Sequence, residues 1–193
     1  MAAKLLAFSG SLRKDSFNHR LIEHAADLAR ARGAEVSVVR LAEFPMPVYN
    51  QDEEDASGLP DSVLKFRELM KQSDGFLISC PEYNGSISAA LKNAIDWATR
   101  PYQDEQPLEC FKGKVVGLMA ASPGGLGGIR GLDHVREILS NIQCYIVPGL
   151  VSVGSIHEAF GSDGNLTNDR TRAMLDGLIE NTVNATNALH GGK

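Results

Sequence analysis

Four side chains suited to binding an oxyanion stand within the eight residues from Ser9 to Ser16. Ser9, Ser11 and Ser16 provide hydroxyl groups, and Arg13 provides a planar guanidinium with several N–H donors. They follow an apolar run at 5–8 and precede an amphipathic pattern, so they belong to a turn between a strand and a helix. The first turn of a helix leaves N–H groups free and carries partial positive charge. The spacing therefore predicts a phosphate site at this turn.

A simpler interpretation of the same turn stays open from the residues alone. Ser16 stands where a helix N-cap is expected, and Arg13 could be a solvated surface cation. The nucleotide motifs GxGxxG and GxxxxGK followed by Ser or Thr do not occur in the chain. Their absence argues against a nucleoside triphosphate and against a dinucleotide held by a Rossmann fingerprint. A monophosphate held by hydroxyls, one arginine and backbone N–H groups fits the turn better.

A second loop with the sequence PEYNGSIS follows another apolar run. Asn84 can donate and accept hydrogen bonds at once, which suits the edge of a heteroaromatic ring, and Tyr83 offers a flat face or a hydroxyl. Pro81 and Gly85 restrict the backbone to unusual shapes. Glu82 is the only carboxylate of this loop, and a backbone-capping or surface role is favoured over a catalytic one.

The third loop, SPGGLGGIRG, begins at Ser122 and is rich in glycine. Gly124, Gly125, Gly127 and Gly128 are more glycines than a strand-to-helix turn requires, although a plain turn is the simpler alternative. Glycine lets the backbone approach a flat ligand closely. The composition therefore favours a ligand against this loop.

The elements that must position these loops alternate along the chain. Strands are predicted at 4–8, 36–41, 75–80, 114–121 and, in two short pieces, 145–147 and 151–153; helices are predicted at 17–32, 61–72, 89–99, 132–142 and 175–186. Such alternation indicates a parallel sheet with helices on both faces, in which ligands bind beyond the carboxyl ends of the strands. The three loops follow the first, third and fourth strands and therefore converge on one site. The acidic run at 51–55 is predicted to be a solvated surface loop, and no boundary divides 1–193 into more than one domain.

Composition excludes several classes of function. A net charge of −5 with a pI near 5.5 provides no basic surface for nucleic acid. No apolar run approaches the roughly 20 residues that a membrane-spanning helix needs. Cys80, Cys110 and Cys144 are odd in number and widely spaced, which predicts a reduced, cytoplasmic protein, and the five histidines lack the spacing of metal ligands. Cys80 has no base nearby in sequence and is interpreted as a small core residue rather than a nucleophile.

The three loops together resemble a known family. The segments GSLRKDSFN, PEYNGSISAALKNAIDW and SPGG are similar to those of the NADPH-dependent FMN reductases, flavodoxin-like proteins that include quinone, azo-dye and chromate reductases. The resemblance covers about 5–150, and the tail beyond Val153 matches only in its final helix. It implies a flavodoxin-like three-layer α/β sandwich with a five-stranded parallel sheet. One departure is Cys80, which stands where threonine or a similar residue is expected.

The resemblance also implies where FMN binds. The first loop holds the phosphate, the second lines the isoalloxazine ring and the third holds its other edge. The residues assigned to the cofactor in this way are Ser9, Ser11, Leu12, Arg13, Ser16, Phe17, Asn18, Pro81, Glu82, Tyr83, Asn84, Gly85, Ser122, Pro123, Gly124 and Gly125.

The function implied is transfer of a hydride from NADPH or NADH through FMN to a small acceptor, in a ping-pong sequence without a catalytic side chain or a metal. The acceptor could be a flavin, a quinone, an azo compound or a metal oxyanion. The helix after PEYN is expected to pack in a homodimer, and many members of the family are homotetramers. Two alternatives stay open: a flavodoxin-type electron carrier, which would be more acidic and lack PEYN, and a non-enzymatic flavin sensor.

Overall fold

A parallel sheet forms the middle layer of the computed structural model, which describes residues 2–162 and 164–191. The strands in chain order are β1 (Lys4–Ser9), β2 (Glu35–Arg40), β3 (Gly75–Ser79), β4 (Glu82–Tyr83), β5 (Ser86–Ile87), β6 (Val115–Ala121), β7 (Tyr145–Ile146) and β8 (Val151–Val153). All of them except β4 and β5, which form a separate antiparallel hairpin, belong to this sheet.

The strand order identifies the topology. The sheet runs β2-β1-β3-β6, and β7 and β8 then share the next position because β7 pairs with the start of β6 and β8 with its end. Pro148 and Gly149 separate these two short strands; proline has no N–H to donate, and Gly149 has a φ of +94°. Five parallel positions in the order 2-1-3-4-5 are the doubly wound flavodoxin-like arrangement. The predicted fold class is confirmed.

Helices cover both faces of the sheet. They are α1 (Phe17–Ala31), α2 (Gln51–Ser57), α3 (Asp61–Lys71), α4 (Ala89–Ala98), α5 (Ile129–Asn141) and α6 (Asp169–His190). The alternation of side chains along β1 separates two apolar clusters: Leu5 and Ala7 pack with α1 and α6, whereas Leu6 and Phe8 pack with α3, α4 and α5. The central strands β1, β3 and β6 are therefore buried on both sides, which is why they are mostly apolar, whereas the edge strand β2 carries Glu35, Ser37 and Arg40.

The acidic run at 51–55 was predicted to be a surface loop, and this is wrong. It forms most of α2, whose first turn begins after Asn50; the Asn50 side chain accepts a hydrogen bond from the N–H of Asp52 at 3.0 Å. Three acids in that turn also complement the positive end of the helix. Glu54 pairs with Arg100 at 2.8 Å, which fastens α2 to the end of α4. An N-cap residue before clustered acids was a usable helix signal.

Smaller differences concern the ends of the elements. Helix α5 begins three residues before the predicted position because Gly128, in the left-handed region at a φ of +92°, forms its N-cap. Helix α6 begins after the N-cap Asn168 and is longer at both ends than the helix predicted at 175–186. Strand β3 ends at Ser79, one residue before the predicted Cys80. Within the described residues, no helix combines the length and apolarity needed to span a membrane.

Candidate functional site

The three loops leave neighbouring strands at the same edge of the sheet. Backbone hydrogen bonds continue past the strands: Gly10 N–H donates to Ser79 O at 2.9 Å, and Cys80 N–H donates to Met119 O at 2.8 Å. These two bonds fix the first residues of the first and second loops to the next strand, and Ser122 N–H does the same for the third loop by donating to Val153 O at 3.0 Å. The turn after β1, the hairpin after β3 and the glycine loop after β6 are thereby held side by side.

The serines of the turn between β1 and α1, residues 9–16, which we call the first turn, shape its backbone. Ser9 Oγ accepts from the N–H of Ser11 at 3.2 Å, and Ser11 Oγ accepts from the N–H of Arg13 at 3.3 Å. Ser16 Oγ accepts from the N–H of His19 at 3.2 Å, so the predicted N-cap is confirmed. In each case the oxygen accepts, which leaves the hydroxyl proton free to donate to a ligand.

The same turn presents donors that the protein does not satisfy. In residues 2–162 and 164–191, the backbone N–H groups of Leu12, Phe17 and Asn18 donate no hydrogen bond, and the guanidinium of Arg13 has no partner. Phe17 and Asn18 open α1, a helix of 15 residues whose dipole adds positive potential. Leu12 is exposed, whereas the ring of Phe17 packs against the core. Free N–H groups and one free cation at a helix start are what a phosphate requires.

The second loop is a tight β-hairpin. Glu82 pairs with Ile87 and Tyr83 with Ser86, which leaves a two-residue turn of Asn84 and Gly85. Both turn residues have positive φ, +52° and +80°, as a type I′ turn requires. An Asn-Gly pair is the strongest short-range signal for such a hairpin, so these two strands were predictable and were missed.

The hairpin presents its polar tip outward and its base inward. Tyr83 is 51% exposed, and Asn84 is exposed beside it at the turn. Pro81 is buried, and its Cδ lies 3.1 Å from where a Cβ on Gly10 would stand. The hairpin therefore packs directly on the turn after β1. A Cβ on Gly10 would also lie 2.8 Å from the Cβ of Leu91 in α4, so glycine is required at this position.

Glu82 binds the start of α5. Its Oε2 accepts from the N–H groups of Arg130 at 3.0 Å and Gly131 at 3.3 Å, and its Oε1 accepts from Arg130 Nε at 2.7 Å. Burial alone would raise the pKa of the carboxyl, but these donors outweigh it and hold the pKa below its ordinary value. The prediction that Glu82 caps backbone groups is confirmed.

Two of the four glycines in the third loop are required by the fold itself. A Cβ on Gly127, which has a φ of +64°, would lie 2.8 Å from the backbone of Val153 and Gly154. A Cβ on Gly128 would lie 2.9 Å from the Cβ of Ala120. The simpler interpretation, a tight turn, explains these two positions.

The other two glycines are not explained by the fold. A Cβ on Gly125 would meet nothing within 4 Å, and one on Gly124 would meet only Ser122 Oγ at 3.6 Å. Neither has a positive φ. Ser122 itself accepts from the N–H of Gly124 at 3.1 Å, and Pro123 is exposed next to it. This half of the loop offers open backbone to a ligand.

Two residues that position the first turn were missed by sequence reasoning. Ser88 caps α4 by accepting from the N–H of Leu91 at 3.1 Å, and its hydroxyl donates to Gly10 O at 2.5 Å. Arg40, at the end of β2, donates from Nη1 to Lys14 O at 3.0 Å. The bonds to Gly10 and Lys14 join segments that are distant in the chain, and no local sequence pattern predicts them.

Asn18 occupies an unexpected environment. Its side chain is buried rather than aimed into the turn, and it contacts the ends of two strands. Oδ1 accepts from Ser79 Oγ at 2.8 Å and from the N–H of Ala121 at 2.9 Å, while Nδ2 donates to Ala121 O at 2.8 Å. The amide thus joins α1 to β3 and β6.

Cys80 and His19 lie behind the loops and are poorly suited to catalysis. Burial raises the pKa of the Cys80 thiol to about 12, with a smaller contribution from the charge of Glu82. Burial, followed by the nearby Arg40 guanidinium, lowers the pKa of His19 despite its contact with Glu23. Both side chains are therefore neutral at neutral pH, and Cys80 behaves as the predicted core residue.

An apolar groove adjoins the first turn. It encloses about 560 Å³ between the segment after β2 and one side of α4. Its lining includes Leu12, Leu41, Phe44, Met46, Ala90 and Ala94.

Comparison of the sequence with known proteins gives consistent matches. Residues 3–158 match the model of a family described as NADPH-dependent FMN reductase. An NAD(P)H-dependent FMN reductase of Pseudomonas aeruginosa is 36% identical over 178 residues, which are 92% of this chain and 91% of the relative. A quinone reductase of Pseudomonas putida is 33% identical over 173 residues, which are 89% of this chain and 88% of the relative.

Comparison with solved structures agrees. FerB, a flavoenzyme NAD(P)H:(acceptor) oxidoreductase from Paracoccus denitrificans, superposes with a TM-score of 0.78 at 31% sequence identity. The match covers 97% of this chain and 98% of that chain.

Proposed function

This chain belongs to the NADPH-dependent FMN reductase family, and on that premise we propose that it oxidises NAD(P)H and delivers a hydride through FMN to a small acceptor. The predicted family, enzyme class and cofactor are confirmed by the family match and by relatives that align along nearly the whole chain. The observation that carries the proposal is the first turn, where Arg13 and the free N–H groups at the start of α1 form a ready site for a phosphate.

FMN, when bound, supplies the hydride carrier, and the chain binds and orients it. Hydroxyls, the guanidinium and free N–H groups of the first turn hold the phosphate. The hairpin lines the ring and the open half of the glycine loop holds its other edge. The residues proposed for the cofactor are Ser9, Ser11, Leu12, Arg13, Ser16, Phe17, Asn18, Pro81, Glu82, Tyr83, Asn84, Gly85, Ser122, Pro123, Gly124 and Gly125.

No side chain of this site serves as an essential general acid or base. The Glu82 carboxylate is occupied by donors from α5, and the Cys80 thiol is neutral and buried. Hydride transfer needs no proton relay at the step itself, and backbone N–H groups of the hairpin and glycine loop can stabilise negative charge on the ring.

Three further properties are part of the proposal. The apolar groove beside α4 supports a homodimer or homotetramer, because a second copy would cover apolar surface that otherwise faces water. All three cysteines are free and buried, which supports a reducing, cytoplasmic location. One continuous sheet contains β1, β2, β3, β6, β7 and β8, which supports a single domain over 1–193.

The test is a steady-state survey with purified protein that has been saturated with FMN. NADPH and NADH are each combined with a quinone, free flavin, an azo compound and a metal oxyanion. The proposal expects nicotinamide oxidation without any partner protein. It also expects that the protein as purified, before any flavin is added, releases FMN rather than FAD on denaturation. A flavodoxin-type carrier would bind FMN but oxidise neither nicotinamide alone.

A further inference from the structure

The buried amide of Asn18 joins the three loops at their roots. Asn18 is the second residue of α1, Ser79 is the last residue of β3, and Ala121 is the last residue of β6. The next residues along the chain after Ser79 and Ala121 open the hairpin and the glycine loop. The Asn18 side chain therefore contacts the last residues of β3 and β6, from which the second and third loops depart, and Asn18 itself lies in the first turn of α1, into which the first loop leads.

The contacts require a side chain of this size that accepts at one atom and donates at the other, as a carboxamide does at every pH. Ala121 presents both its N–H and its carbonyl to the Asn18 side chain, at 2.9 and 2.8 Å, so the partner must accept at one atom and donate at the other. A carboxylate can accept both from Ala121 and from Ser79, but it has no proton for the carbonyl. Asn18 is only 5% exposed, so water cannot replace a lost bond at low cost.

We propose that the Asn18 side chain is a positioning residue, which fixes the phosphate turn relative to the two loops that hold the ring, rather than a ligand of the phosphate. Its backbone N–H, free at the start of α1, stays available to the phosphate. The inference rests on the proposed function, because the three loops matter together only if one flavin spans them.

The decisive probe is Asn18→Asp, measured with both FMN and riboflavin, which lacks the phosphate. At about pH 8 the buried carboxylate faces the Ala121 carbonyl and cannot donate to it. The clamp, by which we mean the hydrogen bonds that join the side chain at position 18 to Ser79 and Ala121, then opens. Both flavins should therefore bind the variant about tenfold or more weakly than they bind the wild type. Burial raises the pKa of such an acid, so near pH 5 the protonated carboxyl donates again and the loss should shrink to about threefold or less. Affinities are expressed as mutant-to-wild-type ratios at each pH, which cancels titration of the FMN phosphate near its own pKa of about 6.

The two flavins separate positioning from direct contact. A carboxylate that touched the phosphate would weaken FMN alone and leave riboflavin unchanged, which would overturn the inference. A ratio that does not change between the two pH values would overturn it as well, because the proton is what restores the clamp. If the wild type binds neither flavin, the proposed function fails instead.

Two further variants guard against a general loss of stability. Leu178→Ala removes a buried core side chain from the inner face of α6 and should lower the melting temperature. Its mutant-to-wild-type affinity ratios for both flavins should stay near one at both pH values. Ser79→Ala removes one hydrogen bond to Asn18 without touching the ligand, and it keeps the inference testable if Asn18→Asp does not fold. It should weaken FMN and riboflavin by the same factor, roughly twofold to tenfold. Unequal factors, or no change, would contradict the clamp.

Discussion

The Glu82 carboxylate and the backbone N–H of Arg130 lie 3.0 Å apart, so the only acid of the hairpin is bound by the first turn of α5. The Arg130 side chain folds over the same carboxylate, with Nε at 2.7 Å from Oε1. The negative charge thus stabilises the N-terminus of α5, and its hydrogen bonds hold the hairpin against this helix. It is not poised to give a proton to a substrate, because its pKa lies below the ordinary value.

Replacement of Glu82 by Gln should therefore affect structure more than chemistry. The variant keeps the shape but loses the ion pair, which should lower the free energy of unfolding by about 1–3 kcal/mol. The rate of flavin reduction by NADPH should fall by less than roughly tenfold, below the range of about 10² to 10⁴ for a general acid or base. Stopped-flow measurement with FMN saturating decides the point. A loss of hundreds-fold with FMN still bound would give Glu82 a chemical role.

Arg13→Ala should weaken FMN binding by roughly tenfold to a hundredfold, because a charge-assisted hydrogen bond contributes about 1.5–3 kcal/mol. Riboflavin binding should not change, since it has no phosphate. Ser16→Ala should weaken FMN less, through a lost neutral donor and a lost helix cap. Lys112→Ala, which removes an exposed cation just before the start of β6, at the opposite edge of the sheet, is the matched control. FMN titration followed by fluorescence gives all four affinities; equal losses for Arg13→Ala and Lys112→Ala would refute a local phosphate site.

Alanine at Gly127 and at Gly125 should give opposite phenotypes. Gly127→Ala combines a positive φ with a contact of 2.8 Å to the backbone, and should destabilise the fold by about 1–3 kcal/mol. Gly125→Ala has open space and ordinary backbone, so its melting temperature should match the wild type while its FMN affinity falls. Thermal unfolding and FMN titration of the two variants provide the comparison. Unchanged FMN affinity in Gly125→Ala would remove this loop from the site.

Glu105 should make stability depend on pH below neutrality. The carboxylate pairs with buried Arg67 and, at 2.7 Å, with Lys71. Burial raises the pKa of this carboxyl, but the two cations lower it by more, so the pKa in the folded state lies below its ordinary value. The ion pairs therefore stabilise the folded state fully above the unfolded pKa of about 4.3, and the contribution is lost as the pH falls through the folded value.

Glu105→Gln should accordingly cost about 3 kcal/mol at neutral pH, because it leaves the buried Arg67 guanidinium without its ion-pair partner, whereas Lys71 keeps its pair with Glu68. The difference from wild type should shrink below about pH 4. Glu109→Gln, on the same loop but exposed, is the control and should cost little. Urea unfolding at both pH values measures the difference; a cost for Glu105→Gln that is equal at both would show that the charge is not responsible.

The fold was predictable because its determinants are local or periodic. Apolar runs marked the buried strands, and the predicted cap Ser16 lies at a position where a polar residue precedes an apolar pattern. The same local signals would have revealed α2 from Asn50 and the hairpin from Asn84-Gly85, and were overlooked. The resemblance placed the loops correctly along the chain.

The inner structure of the site could not be predicted in the same way. The distinction between Gly125 and Gly127 depends on what lies across the loop, and the Asn18 amide is aimed at Ala121, 103 positions further along the chain. Such contacts depend on the register of the sheet. A sequence shows that Asn18 is close to the phosphate turn but not that its side chain points away from it.

The most direct test of the whole account is the initial-velocity pattern of NADPH oxidation by the FMN-loaded protein with a quinone acceptor. The three loops leave neighbouring parallel strands at the same edge of the sheet, so we expect one site, which NADPH and the quinone should occupy in turn. We predict parallel lines in double-reciprocal plots at several fixed quinone concentrations. Intersecting lines would require both substrates to be bound together, and an oxidation rate no greater than that of free FMN would contradict the proposed function itself.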